Sequence, residues 1–270
     1  MNDKVGENIS EIPKIDCEKT KDDIVNFIKS KISESKTEGI VVGLSGGIDS
    51  TLIAYLSCEA VGKENVFGLI MPSTTTPTED KIHGTEIATR LGISYKEIPI
   101  DDILNEFLSV SQLEDDNLAI GNLKARIRMS IIYYFANHKN YLVSGTGNKS
   151  EILIGYFTKH GDGACDMEPI GDLYKTDVFE LSKFLGVPPE IIDKPPRAGL
   201  WNNQTDEAEI GMSYELLDKI LYLYTEKDEE NEKIAEDLEI SVDDVDMIIN
   251  KIIRNKHKSK VPECPLKTIL

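Results

Sequence analysis

Gly39-Ile40-Val41-Val42-Gly43-Leu44-Ser45-Gly46-Gly47-Ile48-Asp49-Ser50 is the stretch from which the rest of the chain is read. Its first six residues form a short apolar run, as expected of a parallel strand buried on both faces. The Ser45–Ser50 turn leads into Thr51-Leu52-Ile53-Ala54-Tyr55-Leu56, a predicted helix. A glycine-rich turn between a buried strand and a helix sits at the carboxyl end of that strand, where parallel sheets bind ligands. Gly46 and Gly47 allow backbone conformations closed to other residues and put no side chain in the way. Free N–H groups at the helix start can hold an anion, and Ser45 and Ser50 add hydroxyl donors. No Lys follows the glycines and the spacing is not GxGxxG, so neither common phosphate fingerprint applies. Asp49 is the informative residue. A carboxylate beside bound phosphate is repelled unless a cation lies between them, and Mg²⁺ shared by Asp49 and phosphate oxygens resolves that conflict. The plain alternative is a Gly-Gly turn followed by an Asp or Ser helix cap; the position after the first strand of a parallel sheet favours phosphate.

Working outward, Ile24, Phe27, Ile28 and Ile32 fall at helical spacing before this strand. After it come a second buried strand (65–71), a loop, a helix (79–92) closed by Gly92, a third strand (93–100), a helix (101–110), a longer helix (about 118–137) and a fourth strand (141–145). Strand–helix alternation with short connections predicts an α/β fold built on a doubly wound parallel sheet. From 145 to about 212 the chain is rich in Gly, Pro and charge, with one clear helix at 176–186, and such a stretch is usually functional or mobile. The tail is predicted helical. Ser213 caps one segment, and Ser241 with Asp244 starts another in capping-box fashion, with Val245, Ile248, Ile249, Ile252 and Ile253 on one stripe. The expectation is a single domain over 1–270, with a parallel-sheet core at about 20–190 and a helical C-terminal part at about 205–262.

The chain has 270 residues, with 30 Lys+Arg against 48 Asp+Glu, a net charge of −18. That balance argues against a chief task of gripping nucleic acid or an anionic membrane, but leaves room for a small anion in a local basic pocket. Cys17, Cys58, Cys165 and Cys264 form no CxxC pair. The N-terminus is polar, and no apolar run approaches the ~20 residues of a membrane span. These features predict a soluble, cytoplasmic protein.

Ser45-Gly46-Gly47-Ile48-Asp49-Ser50 resembles the SGGxDS loop of the N-type ATP-pyrophosphatase superfamily, which implies an adenine nucleotide alpha hydrolase-like, Rossmann-like fold. The second half narrows the likeness. Ser144-Gly145-Thr146-Gly147-Asn148-Lys149-Ser150-Glu151 follows the fourth strand, then Gly155-Tyr156-Phe157-Thr158-Lys159-His160-Gly161-Asp162-Gly163, Asp166, Pro169-Ile170-Gly171-Asp172-Leu173-Tyr174-Lys175, and Gln204-Thr205-Asp206-Glu207. This series in this order resembles the NAD synthetase family from about residue 20 to 262. The resemblance implies a ligase that forms a C–N bond in the last step of NAD biosynthesis. It converts deamido-NAD, ATP and ammonia into NAD, AMP and pyrophosphate through an adenylylated intermediate.

The resemblance also implies roles for single residues. Gly43 to Ser50 (Gly43, Leu44, Ser45, Gly46, Gly47, Ile48, Asp49, Ser50), Thr146 and Lys175 would contact ATP, and Asp49 and Glu151 would hold Mg²⁺. Arg126, Lys159, Asp166, His257 and Lys258 would contact deamido-NAD, Arg126 at a homodimer interface. Asp49, Lys175 and Asp166 form the expected catalytic set, Asp166 with a hypothetical part in guiding ammonia or accepting its proton. Each has a plainer reading. Glu151 suits the first turn of a helix, Thr146 an ordinary turn, Lys159 and Asp166 the flanks of an Asp-Gly turn, Arg126 a solvated basic edge, and His257-Lys258 a helix C-terminus. Lys175 precedes Thr176, read as a helix cap, where a cation is unfavourable without an anionic partner. Arg197 departs from the pattern: the family commonly has Thr or Ser there. Arg197 cannot ligate Mg²⁺ but could pair with a phosphate oxygen. Only about forty residues precede the glycine loop, so no glutaminase domain is expected and free ammonia is the expected nitrogen source. The alternatives are another ATP-pyrophosphatase amidotransferase or ligase, or a non-catalytic ATP-binding regulator.

Overall fold

The computed structural model describes residues 11–113, 116–201, 204–262 and 264–265. Four strands, β1 (Gly39–Gly43), β2 (Val66–Ile70), β3 (Ser94–Glu97) and β4 (Tyr141–Val143), pair in parallel in the order β3-β2-β1-β4. Ile40 lies beside Val66 on one side and Leu142 on the other. The chain therefore leaves β1 towards β2 and β3, then returns to its opposite edge as β4. Such a reversal opens a crevice at the carboxyl ends of the strands.

The helices are α1 (Cys17–Ser35), α2 (Ile48–Val61), α3 (Thr78–Leu91), α4 (Asp101–Ser111), α5 (Asn117–Lys139), α6 (Lys149–Ile154), α7 (Lys175–Phe184), α8 (Pro189–Ile192), α9 (Asp206–Ile210), α10 (Tyr214–Thr225), α11 (Asn231–Leu238) and α12 (Val242–Asn255). Successive β1 side chains point to opposite faces, and both faces are covered. Ile40 and Val42 pack with Ile28, Leu52, Ile53, Val178 and Leu181 from α1, α2 and α7. Val41 packs on the other face with Leu69, Val143, Leu104 of α4 and Ile127 of α5. This two-sided burial is why Gly39–Gly43 reads as an unbroken apolar run. A separate apolar cluster joins Ile154 and Tyr174 to α10, α11 and α12 through Leu217, Leu221, Ile234 and Ile248.

Several boundaries differ from the sequence reading. The strand expected at 93–100 is confined to Ser94–Glu97, an outer strand whose residues are all exposed. Among the described residues, the stretch from 145 to 212 holds three short helices besides α7, namely α6, α8 and α9. The helix α11 carries little sequence signal, since Asn231–Leu238 offers only Ile234, Ala235 and Leu238 as an apolar stripe. Ser213 caps α10 as expected, its hydroxyl accepting from Leu216 N–H. At α12 the capping box is half made: Ser241 Oγ accepts from Asp244 N–H, but Asp244 takes the Ser241 hydroxyl rather than its backbone N–H. Ile253 leaves the apolar stripe and is exposed, as is Phe27 on α1. Among the described residues no helix is long and apolar enough to cross a membrane, and all four cysteines are free thiols.

Candidate functional site

A cavity of about 980 Å³ lies at the carboxyl ends of β1, β2 and β4, lined there by Gly43, Met71 and Val143. That volume is at the upper end for small-molecule sites. Of the glycine loop, Gly43, Leu44, Ser45, Gly47, Ile48, Asp49 and Ser50 line it. Gly46 does not: it has φ +78°, and a Cβ there would come within 2.1 Å of the Asp80 carbonyl oxygen. Its glycine is required for close approach to α3, not for contact with the cavity. The hydroxyls brace the loop from within. Gly47 N–H donates to Ser45 Oγ (3.2 Å), which lies 3.1 Å from Ser50 Oγ. The helix begins at Ile48, three residues earlier than Thr51, with Gly47 at its N-cap and no side chain capping it. Its uncapped first turn, Ile48 to Ser50, thus lines the cavity, the arrangement of an anion site at a helix start.

Asp49, Glu151 and Lys175 meet. Lys175 Nζ lies 2.6 Å from Asp49 Oδ2 and 3.3 Å from Glu151 Oε1, and only 1% of the lysine side chain is exposed. Asn148 organises the group. Its side-chain nitrogen donates to Asp49 Oδ1 (2.9 Å), its Oδ1 caps α6 by accepting from Glu151 N–H, and Glu151 Oε2 accepts from Asn148 N–H. Burial pushes the Glu151 carboxyl above the ordinary carboxylate range, although Lys175 pulls it back. Burial also works against the Lys175 ammonium, but Asp49 and Glu151 outweigh it and hold its pKa above that of an ordinary lysine.

Lys175 is the first residue of α7, and Thr176 is not the cap. The reason comes from α10. Asp218 accepts Thr176 N–H (2.9 Å), while Ser150 Oγ accepts Lys175 N–H and donates to Asp218. A carboxylate from another helix closes this helix end, so the cation tolerated there answers to Asp49 and Glu151. Asp206 stands beside the group, buried, accepting from the hydroxyls of Tyr156 (3.1 Å) and Tyr214 (3.3 Å).

Arg197 lines the cavity but is held by acidic side chains of α3: Nε donates to Asp80 Oδ2 (3.0 Å), and Nη2 to Asp80 Oδ1 (2.9 Å) and to Glu79. Lys194 joins them, bonded to Asp80 Oδ1 (2.6 Å) and to the Gly46 carbonyl (2.5 Å). Burial disfavours the Asp80 carboxylate, yet the two cations hold its pKa below the ordinary value. At the other end, Arg126, Lys159, His257 and Lys258 all line the cavity, and backbone carbonyls fix three of them. Arg126 donates to Lys159 O, Lys159 Nζ to His257 O (3.1 Å), and Lys258 Nζ to Gly155 O (2.7 Å). Thr146 is on the lining; Asp166 is not. The Asp166 carboxylate faces β4, accepting from Val143 N–H (2.7 Å) and Tyr133 OH (3.2 Å).

Asn148, Asp80, Lys194 and Asp206 were not singled out from the sequence. Asn148-x-x-Glu151 is a readable cap signal, and Asp206 lies in a quoted motif. Asp80 and Lys194 meet across 114 positions and carry no local signal.

The NAD synthase family model matches residues 20–262. An NH(3)-dependent NAD(+) synthetase of Methanocaldococcus jannaschii is 51% identical over 245 residues, covering 90% of this chain and 94% of its own. The solved NMN synthetase of Francisella tularensis superposes with a TM-score of 0.84 at 35% identity, covering 93% of this chain and 99% of that one. The NH3-dependent NAD synthetase of Campylobacter jejuni, solved with nitrate, gives 0.80 at 35% identity, covering 93% and 100%.

Proposed function

The chain belongs to the NAD synthase family, and from that premise we propose how its residues carry out the ATP-dependent amidation of deamido-NAD to NAD with free ammonia. The whole chain is read as one synthetase domain. The observation that carries the reading is the convergence of Asp49, Glu151 and Lys175 beside the open start of α2. ATP would lay its phosphates on that helix start and the Ser45–Ser50 loop. Mg²⁺ fits the donor set, since two carboxylates with phosphate oxygens completing the shell is its usual mode of binding. Asp49 and Glu151 would hold it, and it would supply charge neutralisation for the departing pyrophosphate. Lys175 lies between those carboxylates and would turn its ammonium to phosphate, stabilising negative charge as it develops. Thr146 would fix the nucleotide from the β4 side, and Arg197, released from Glu79, could reach a phosphate oxygen.

The acid substrate would extend towards Arg126, Lys159, His257 and Lys258, a basic end suited to a second phosphate-bearing half. Its nicotinate carboxylate attacks the α-phosphate, the acyl adenylate forms, and ammonia displaces AMP. Asp166 is proposed to act at this end once its carboxylate turns from Val143 N–H and Tyr133 OH towards the cavity. Water must be kept from the adenylate, a task for the 155–163 and 194–201 loops that line the cavity. A homodimer is part of the reading. It is supported by exposed Ile103, Phe107 and Val110 on α4 and Leu118 and Tyr134 on α5, the helix that carries Arg126. The reading places the enzyme in the cytoplasm.

The likeness to an NMN synthetase favours one comparison in the test. Purified protein is given ATP, Mg²⁺ and either deamido-NAD or the acid form of NMN, with ammonium or glutamine. NAD formed from deamido-NAD with ammonium, and lost in Asp49→Ala and Glu151→Ala, is the expected result. Faster turnover of the mononucleotide would reassign the substrate, and product with glutamine alone would overturn the nitrogen source.

A further inference from the structure

β4 is an outer strand of the sheet, and its free edge is covered by residues 165–168. Asp166 N–H donates to Val143 O (3.0 Å), Ser144 pairs in parallel with Met167, and Gly145 N–H donates to Met167 O (2.9 Å). This strap carries Asp166, and the β4 end it covers runs directly into the turn that carries Thr146. Glu168 closes the pairing with its side chain. Oε2 accepts from Gly147 N–H (3.1 Å) and Oε1 from the Cys165 thiol (3.1 Å). The fit leaves no slack: a Cβ on Gly145 would lie 2.3 Å from a Glu168 carboxylate oxygen. Glu168 itself is not on the cavity lining, whereas Gly145 and Thr146 are. Burial pushes its carboxyl up to about 7, so ionising it behind this turn costs stability that its two hydrogen bonds only partly return.

We infer that Glu168 is a positioning residue that fixes the Thr146 turn to the Asp166 strap, so that binding at the ATP end and at the acid-substrate end reinforce each other. The inference rests on the proposed function and deepens it. The turn leads to the ATP end, since Asn148, two residues past Thr146, bonds Asp49, while the strap carries Asp166, which the proposed function assigns to the acid-substrate end. If the turn and the strap move as one body, ordering one orders the other. The second ligand then binds to a chain already fixed. The coupling must be reciprocal.

The test uses full-length protein and the α,β-methylene analogue of ATP, which cannot be cleaved between its α and β phosphates. Dissociation constants are measured for each ligand alone and in the presence of the other. In the native chain each ligand is expected to tighten the other by the same factor. Glu168→Ala is expected to lose about tenfold in that factor, the scale of one charge-assisted hydrogen bond, and to raise both KM values more than it lowers kcat. Glu168→Gln keeps an acceptor for Gly147 N–H and is expected to restore most of the coupling. Gly145→Ala, which displaces the carboxylate, should repeat the Glu168→Ala result if that variant fails to fold. An unchanged coupling factor in Glu168→Ala or Gly145→Ala, with native NAD synthesis intact, overturns the inference and leaves the function standing. A native chain that binds the ATP analogue but not deamido-NAD overturns both.

Discussion

Replacing Lys175 by Met removes one buried ammonium and leaves two carboxylates facing the place it occupied. Unit charges ~4 Å apart interact by about 4 kcal/mol at an effective dielectric near 20, and Lys175 lies closer than that to both Asp49 and Glu151. Much of this is offset by the cost of burying the ions, and breaking one partner out of such a group typically costs about 3–5 kcal/mol. The loss should depend on pH. Burial already raises the Glu151 carboxyl above its ordinary value, and without the ammonium it rises further. A group that binds its proton more tightly folded than unfolded favours the folded state at low pH, and that contribution is lost as pH rises through the folded pKa. Urea unfolding followed by circular dichroism should therefore show Lys175→Met losing about 3–5 kcal/mol at pH 9 and clearly less at pH 6. Added Mg²⁺, drawn to the unpaired carboxylates, should raise the midpoint of the variant more than that of the native chain. A variant within about 1 kcal/mol of native at both pH values, or one indifferent to Mg²⁺, would refute the reasoning about this cluster.

Arg197→Ala should cost little stability, below about 1.5 kcal/mol, because the guanidinium is partly exposed and Lys194 still answers Asp80; its KM for ATP should rise about tenfold, and an unchanged KM removes Arg197 from the nucleotide site. Gly46→Ala must place a Cβ against the Asp80 carbonyl at a positive φ, so thermal unfolding should show a loss of about 2 kcal/mol or more, and ATP binding should fall with it. Glu168→Gln should flatten the stability profile. The native carboxyl at about 7 against an ordinary 4.5 gives stability that declines between those values, by up to about 1.4 kcal/mol per pH unit, and the amide cannot titrate. On the proposed homodimer, light scattering should give a dimer mass for the native chain and a monomer mass for Phe107→Glu, and an unchanged mass would remove the α4–α5 face from the interface.

The sheet was legible because β1 and β2 are buried on both sides and announce themselves as apolar runs. The glycine loop was legible because its position after β1 gives it a function that its composition alone does not. Strand order was not readable, since nothing in Tyr141–Val143 says that it pairs with β1 rather than β3. Ends of elements failed where distant side chains set them. Asp218 closes the start of α7 from 42 positions away, so Thr176 looked like the cap. The site followed the same rule. Asp49, Glu151 and Lys175 were singled out by motif, and the structure brings them together; Arg197 was read as able to pair with a phosphate oxygen, and its contacts with Glu79 and Asp80 are ones local sequence cannot foresee. Asp166 marks the opposite limit, since its motif is clear while its carboxylate faces Val143 and Tyr133.

The bare N-cap of α2 has a consequence for anyone who would make this chain more robust. Gly47 offers no side chain to the first N–H groups of a 14-residue helix at the heart of the sheet. An Asn or Asp at such a cap ordinarily strengthens a helix, by a few tenths of a kcal/mol over Gly. Here that gain would seat a permanent resident on the proposed docking place of the nucleotide. Selection for heat resistance alone would drift towards that substitution, and the hardier chain it produced would have exchanged its turnover for a tighter fold.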